Sequence, residues 1–216
     1  MPRLATVTLP NAFQYYDEWS VVNAGALANH LISHTPTANV FNVNNLNALS
    51  STVTEIIVEN RCCRDPSFTV LDLRRFTNVR RIVIGHDAFM YVDQVTITGL
   101  SKLESVEIGM NSFTEYKNGA ATSLSGYFHL KNCPKLKSLK IGRYSFNGCI
   151  ACEIENVNAL ESIEMGELNA ASYCFEWSSL ELRSVFSEQC VMTRHAFSQI
   201  TRLWWKGIPV VFSCRF

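Results

Sequence analysis

The sequence predicts a β-rich stacked array of short strands, and three observations carry that prediction. Four segments of 19 residues align without gaps, their apolar columns alternate with period two, and a glycine follows the second alternation in every copy. The segments are LDLRRFTNVRRIVIGHDAF from Leu71, VTITGLSKLESVEIGMNSF from Val95, FHLKNCPKLKSLKIGRYSF from Phe128 and CEIENVNALESIEMGELNA from Cys152. Their starts lie 24, 33 and 24 residues apart, so the second interval carries nine extra residues. A period of this size marks a repeat architecture, in which one unit buries its apolar face only against its neighbours.

Each unit reads as two short extended segments. The first has apolar residues at positions one and three, the latter being Leu73, Ile97, Leu130 and Ile154. Positions six (Phe76, Leu100, Cys133, Val157) and nine (Val79, Leu103, Leu136, Leu160) continue the apolar frame. Positions twelve (Ile82, Val106, Leu139, Ile163) and fourteen (Ile84, Ile108, Ile141, Met165) flank one residue, the spacing of a strand with one face buried. Gly85, Gly109, Gly142 and Gly166 then turn the chain, either because a Cβ would clash or because φ must be positive. On that reading Gly109→Val costs about 1–3 kcal/mol. Position nineteen (Phe89, Phe113, Phe146, then Ala170) closes the coil from inside.

The series frays outwards. Val53, Ile56 and Val58 form a copy before Leu71, and Leu182 and Val185 a degenerate one after Met165. Phe197, Ile200, Leu203 and Trp205 read as columns six, nine, twelve and fourteen of a last copy. The stretch from Leu4 to Phe13 has the same rhythm one residue short, and Asp17 to His34 reads as a helix capping the open sheet end, with Pro36 as its stop. The organisation is therefore an N-terminal segment over residues 1–40, the array over 41–205 and an apolar tail over 206–216. The clipped first copy and the apolar tail predict either a piece of a longer array or self-association through an open end.

Composition narrows the function classes. With 216 residues and 47% hydrophobic content the chain can bury a sizeable core, and 19 basic against 19 acidic side chains give a net charge of zero. That balance argues against binding nucleic acid or anionic membranes by bulk electrostatics. No run reaches the roughly 18 apolar residues of a membrane span. The N-terminus lacks the apolar core of a secretory signal, and none of the 17 asparagines begins an Asn-x-Ser/Thr acceptor, which favours the cytoplasm and reduced thiols for most of the eight cysteines.

The frame resembles that of leucine-rich repeat proteins. Leu103 to Phe113, L-E-S-V-E-I-G-M-N-S-F, fits L-x-x-L-x-L-x-x-N-x-L with Phe closing, and the I-G-x-x-S/A-F endings and FNGC at Phe146 to Cys149 resemble the BspA-like subtype. Over roughly residues 41–205 the resemblance implies a curved solenoid with a stacked parallel sheet of short strands on one face. It also implies a role in adhesion or protein–protein contact. The frame's asparagine stands only at Asn111, with Asp87, Tyr144 and Leu168 in its place elsewhere.

Candidate binding residues follow from the exposed columns. Position ten is Arg80, Glu104, Lys137, Glu161 and position thirteen is Val83, Glu107, Lys140, Glu164, so charge alternates from unit to unit. This pattern makes either a self-neutralised ladder or a docking face for a partner of mixed charge. Position sixteen varies beside constant columns (His86, Met110, Arg143, Glu167), as specificity positions of repeat proteins do. The polar insertion within Thr114 to Tyr127 offers Tyr116 and Tyr127 as anchors. No residue pattern implies a cofactor or a metal. Cys149-x-x-Cys152 lacks a second ligand pair and Cys152 occupies an apolar column, so it reads as packing. The five histidines belong to no nucleophile elbow or zincin helix. The expectation is a non-enzymatic module with a protein partner and no nucleic-acid or membrane-inserted partner; a structural or surface-display array is the alternative.

Overall fold

Apolar–polar alternation gives each short segment one face to bury, and two such segments per unit give two faces to be covered. The structure is a computed structural model that describes residues 37–114, 116–117, 120–121, 125–166, 174–175, 178–184, 191–192 and 202–205. Its strands, in chain order, are β1 (Thr37–Val40), β2 (Glu55–Val58), β3 (Val70–Asp72), β4 (Arg81–Ile84), β5 (Gln94–Thr98), β6 (Ser105–Ile108), β7 (Tyr116–Lys117) and β8 (Ala120–Ala121). They continue as β9 (Gly126–Lys131), β10 (Ser138–Ile141), β11 (Cys149–Glu155), β12 (Ser162–Met165), β13 (Ser179–Arg183), β14 (Val191–Met192) and β15 (Arg202–Trp205). Among the described residues the single helix is α1 (Val43–Ala48). Asn42 caps it by accepting from the Asn45 N–H at 2.8 Å, while the Asn45 side chain accepts from the Phe41 N–H at 3.1 Å.

Two parallel sheets result. Sheet A runs β1-β2-β4-β6-β10-β12-β14 and sheet B runs β15-β13-β11-β9-β5-β3. Apart from the β7–β8 hairpin, the chain alternates between the sheets from β2 onwards, each unit giving its first strand to B and its second to A. Equivalent columns pair in register: Leu71, Val95, Phe128, Cys152 and Leu180 across B, and Ile82, Val106, Leu139 and Ile163 across A. In the four aligned units every member of columns one, three, six, nine, twelve and fourteen is buried in one continuous core. At position nineteen the rings of Phe89, Phe113 and Phe146 stack with centroids 5.2 and 4.6 Å apart.

The glycine column is required by contact. A Cβ on Gly109 would lie 2.7 Å from the carbonyl carbon of Gly85, and one on Gly142 would lie 2.5 Å from the Met110 nitrogen. Each glycine therefore touches the backbone of the unit before it, and neither residue has a positive φ. In these units positive φ falls instead on positions seventeen and nineteen: Asp87, Asn111 and Tyr144, then Phe89, Phe113 and Phe146, whereas in the Cys152 unit the column's own Gly166 has φ 74°. An aromatic residue in that region is strained by about 1–2 kcal/mol. The ladder supports it, because Phe89, Phe113 and Phe146 donate their N–H to Cys62, Ala88 and Ser112 of the preceding unit at 3.0–3.1 Å.

Three assignments need correction. The phenylalanine of the Cys152 unit is Phe175, since its ring stacks on Phe146 at 4.8 Å and its N–H reaches the Ser145 carbonyl. Five extra residues precede it, which the ungapped alignment hid by setting Ala170 there. Leu203 and Trp205 pair with Leu180 and Leu182 in sheet B, so they hold columns one and three. A period of two looks the same for either strand of a unit. Tyr127 leaves the insertion altogether and lies in β9. The predicted helix at Asp17 to His34, the copy at Leu4 to Phe13 and the tail 206–216 lie outside the described residues.

Candidate functional site

Because positions twelve and fourteen point inward, position thirteen points out. Parallel register sets Val83, Glu107, Lys140 and Glu164 side by side across sheet A, and the three charged members are exposed. Lys140 lies between two carboxylate-bearing neighbours, and among the described residues no ion pair engages it. Position ten is paired off: Arg80 meets Glu104 at 2.7 Å and Lys137 meets Glu161 at 3.6 Å. Arg81 adds contacts to Glu55 at 2.5 Å and Glu107 at 3.9 Å, and its hydrogen bond holds the Glu55 carboxyl below the usual range. Exposed pairs of this kind stabilise by about 0.2–1 kcal/mol each, so they tune the surface more than they hold the fold.

The rim beyond sheet A is partly structural. The Asn60 side chain accepts from the His86 N–H at 2.7 Å, and His86 Nδ1 accepts from the Met110 N–H at 2.9 Å. His86 therefore ties its unit to the ones before and after it. The Arg143 guanidinium lies 4.9 Å from the centroid of the Tyr144 ring, a cation–π contact. Glu107, Lys140, Glu164, His86, Met110 and Arg143 belong to one sheet and its rim. Tyr127 belongs to the other sheet, Tyr116 has only its backbone in β7 described, and Glu167 lies outside the described residues.

Sheet B carries the polar network that the sequence reading passed over. Its outward positions two and four bring His129, Lys131, Glu153, Glu155, Glu181 and Arg183 together. Lys131 pairs with Glu153 in close contact and with Glu155 at 3.7 Å, Arg183 pairs with Glu181, and His129 Nε2 lies 3.3 Å from Glu153. The Tyr127 ring stacks on His129 at 4.3 Å, and its hydroxyl donates to Gln94 at 3.0 Å. The Lys131 hydrogen bond holds the Glu153 carboxyl low. Desolvation pushes the His129 imidazole down more than Glu153 raises it, so the ring is neutral at pH 7 and its contact with Glu153 is polar, not ionic. The signal was present in Tyr-x-His-x-Lys beside Glu-x-Glu, but polar slots share no column identity.

The described residues contain no group of three or more His, Cys, Asp or Glu side chains placed to hold a metal ion. Cys149 and Cys152 both face the core although they stand three positions apart, because the strand bulges between Cys149 and Ala151 and throws Ile150 out to solvent. Burial pushes the Cys149 thiol up to about 12 and the Cys152 thiol well above its ordinary value, which makes both poor ligands and poor nucleophiles. Beside the insertion a cleft of about 240 Å³ runs between Asp93, Thr114 and the Phe113 and Phe146 edges. Comparison of the chain with protein families, with curated proteins and with solved structures finds no match.

Proposed function

We propose that this chain is a leucine-rich-repeat-type solenoid acting as a non-catalytic protein-interaction module, and that it binds through the outer face of sheet A and the adjoining rim. The observation that carries this reading is the rigid row of Glu107, Lys140 and Glu164, held in register over a fully buried core, with Lys140 charged and unpaired among the described residues. A fixed lattice of outward side chains gives a partner a preorganised surface, so little ordering entropy opposes binding. Met110 and Arg143 would supply the larger contacts at the rim. The alternative, a structural or display array, draws support from the ion pairs of position ten, which neutralise the face internally.

The test is capture of a binding partner by the wild-type chain and by a variant carrying Glu107→Lys, Lys140→Glu and Arg143→Glu, both checked for folding by circular dichroism. A partner retained by the wild type and lost by the folded variant supports the sheet A site. Retention by both moves the site elsewhere, and capture by neither favours the structural array.

A further inference from the structure

At the N-terminal end of the position-nineteen column the phenylalanine is replaced by Cys63, preceded by Cys62. Both side chains are buried, at 4% and 5% exposure, and their Sγ atoms lie 2.6 Å apart. Two sulfurs in ordinary contact stand roughly 3.6 Å apart, whereas a disulfide bond is about 2.05 Å long. Of the remaining four described cysteines, Cys133, Cys149 and Cys174 place their sulfurs against backbone carbonyls and Cys152 lies in the apolar core.

We propose that Cys62 and Cys63 form a redox-modification site that a hydroperoxide closes into a vicinal disulfide. Backbone geometry holds the pair ready. Cys63 has φ 56°, the left-handed conformation shared with Phe89, Phe113 and Phe146. The Cys62 carbonyl accepts the Phe89 N–H at 3.0 Å, and the Arg61 N–H donates to the His86 carbonyl at 2.7 Å, so the neighbouring unit clamps the dipeptide on both sides. In the first step one thiolate attacks a peroxide oxygen, which breaks the O–O bond and releases hydroxide, or an alkoxide from an organic peroxide. In the second, the neighbouring sulfur displaces the hydroxyl of the resulting sulfenic acid. The two sulfurs together lose two electrons, the peroxide gains two, and both thiol protons leave in water or alcohol. Burial raises both thiols above their ordinary value, so the first step is slow, while the second is intramolecular and fast. Adjacent Cα atoms stand about 3.8 Å apart, short of the usual disulfide span, which makes the bond readily reducible.

The sequence supplies a clean assay. Trypsin cuts after Arg61 and Arg64 and releases Cys62-Cys63-Arg64, a peptide in which an internal disulfide joins no other pair. The folded full-length chain is treated with hydrogen peroxide, quenched with an alkylating agent in denaturant, digested and weighed. The expected result is a tripeptide about two mass units light and unalkylated, restored to double alkylation by dithiothreitol. Peptides carrying Cys133 and Cys152 should stay alkylated. A doubly alkylated Cys62-Cys63-Arg64 after peroxide overturns the proposal, as does sulfinic acid on either cysteine or a cross-link to another cysteine. Repeating the treatment on the unfolded chain, where the exposed thiols oxidise faster but a smaller share of the oxidised tripeptide should be the internal disulfide and a larger share sulfinic acid or cross-linked, separates a folded-state clamp from simple adjacency.

Discussion

Each unit turns twice, and the two turns use glycine for opposite reasons. After sheet A the chain passes Gly85, Gly109 or Gly142, where an added Cβ would strike the backbone of the previous unit. After sheet B it passes Gly99, Asn132 or Asn156, all at positive φ, and a Cβ on Gly99 would meet nothing within 4 Å. At Gly85, Gly109 and Gly142 the first turn is restricted by its neighbour, and the second by its own backbone; Gly166, at φ 74°, holds the first turn's place with the second's conformation. Asparagine can therefore replace glycine at the second turn, where left-handed φ suits it, and the Asn156 side chain also donates to Asn132 at 2.8 Å. A carboxamide has no room at the first.

That contrast can be broken or sharpened by substitution. Phe113→Ala, which removes a ring stacked on both sides beyond the contact-limited turn, should cost about 3–5 kcal/mol in denaturant unfolding. Gly109→Ala should cost about 3 kcal/mol because backbone must move, and the valine variant more than the 1–3 first expected from a turn alone. Gly99→Ala and Asn156→Ala should each cost only about 1–2 kcal/mol, with Asn156→Gly close to neutral. Equal losses at Gly109 and Gly99 would erase the distinction between the turns.

The smallest effect concerns the sheet B face. His129 titrates below its ordinary 6.5, so the unfolded chain protonates first. Its contribution is complete above that value and is lost as pH falls below it, and the lowered Glu153 adds a further loss below its ordinary 4.5. The thermal midpoint should be level near pH 7 and drop on acidification, with His129→Gln removing the upper part of the drop, about 1 °C in size. A midpoint unchanged between pH 7 and 5 in the wild type would remove His129 from the network's energetics.

How much was legible follows from which residues repeat. Columns such as Leu103, Val106 and Ile108 announce themselves because burial demands the same chemistry in every unit. The second turn stayed hidden because position five reads Arg75, Gly99, Asn132, Asn156, and only the backbone angle unites the last three. Phe175 was missed because the insertion before it moves the ring but not the stack. On the candidate face, the order Glu107, Lys140, Glu164 was readable from spacing alone. Which charges pair was not, because Arg81 reaches from position eleven to Glu55 and Glu107. Asn118-Gly119, a hairpin dipeptide, was the available signal for the β7–β8 pairing inside the insertion.

The glycine column gives the stack a direction. Gly142 presses on Gly109, Gly109 on Gly85, and Gly85 on Asn60, while the corresponding residue of that earlier unit is Glu59. Glu59 also follows a neighbouring strand, its N–H donating to the Val40 carbonyl at 3.0 Å, so the glycine records how closely successive units approach from Gly85 onwards, and the units are not interchangeable bricks. A copy of the Leu71 unit could be spliced in downstream and fit. A copy of the Glu59 unit moved inward would bring a carboxylate stem against its predecessor's backbone and jam the stack. Anyone inserting a unit between Gly85 and Gly142 must use a glycine-bearing one.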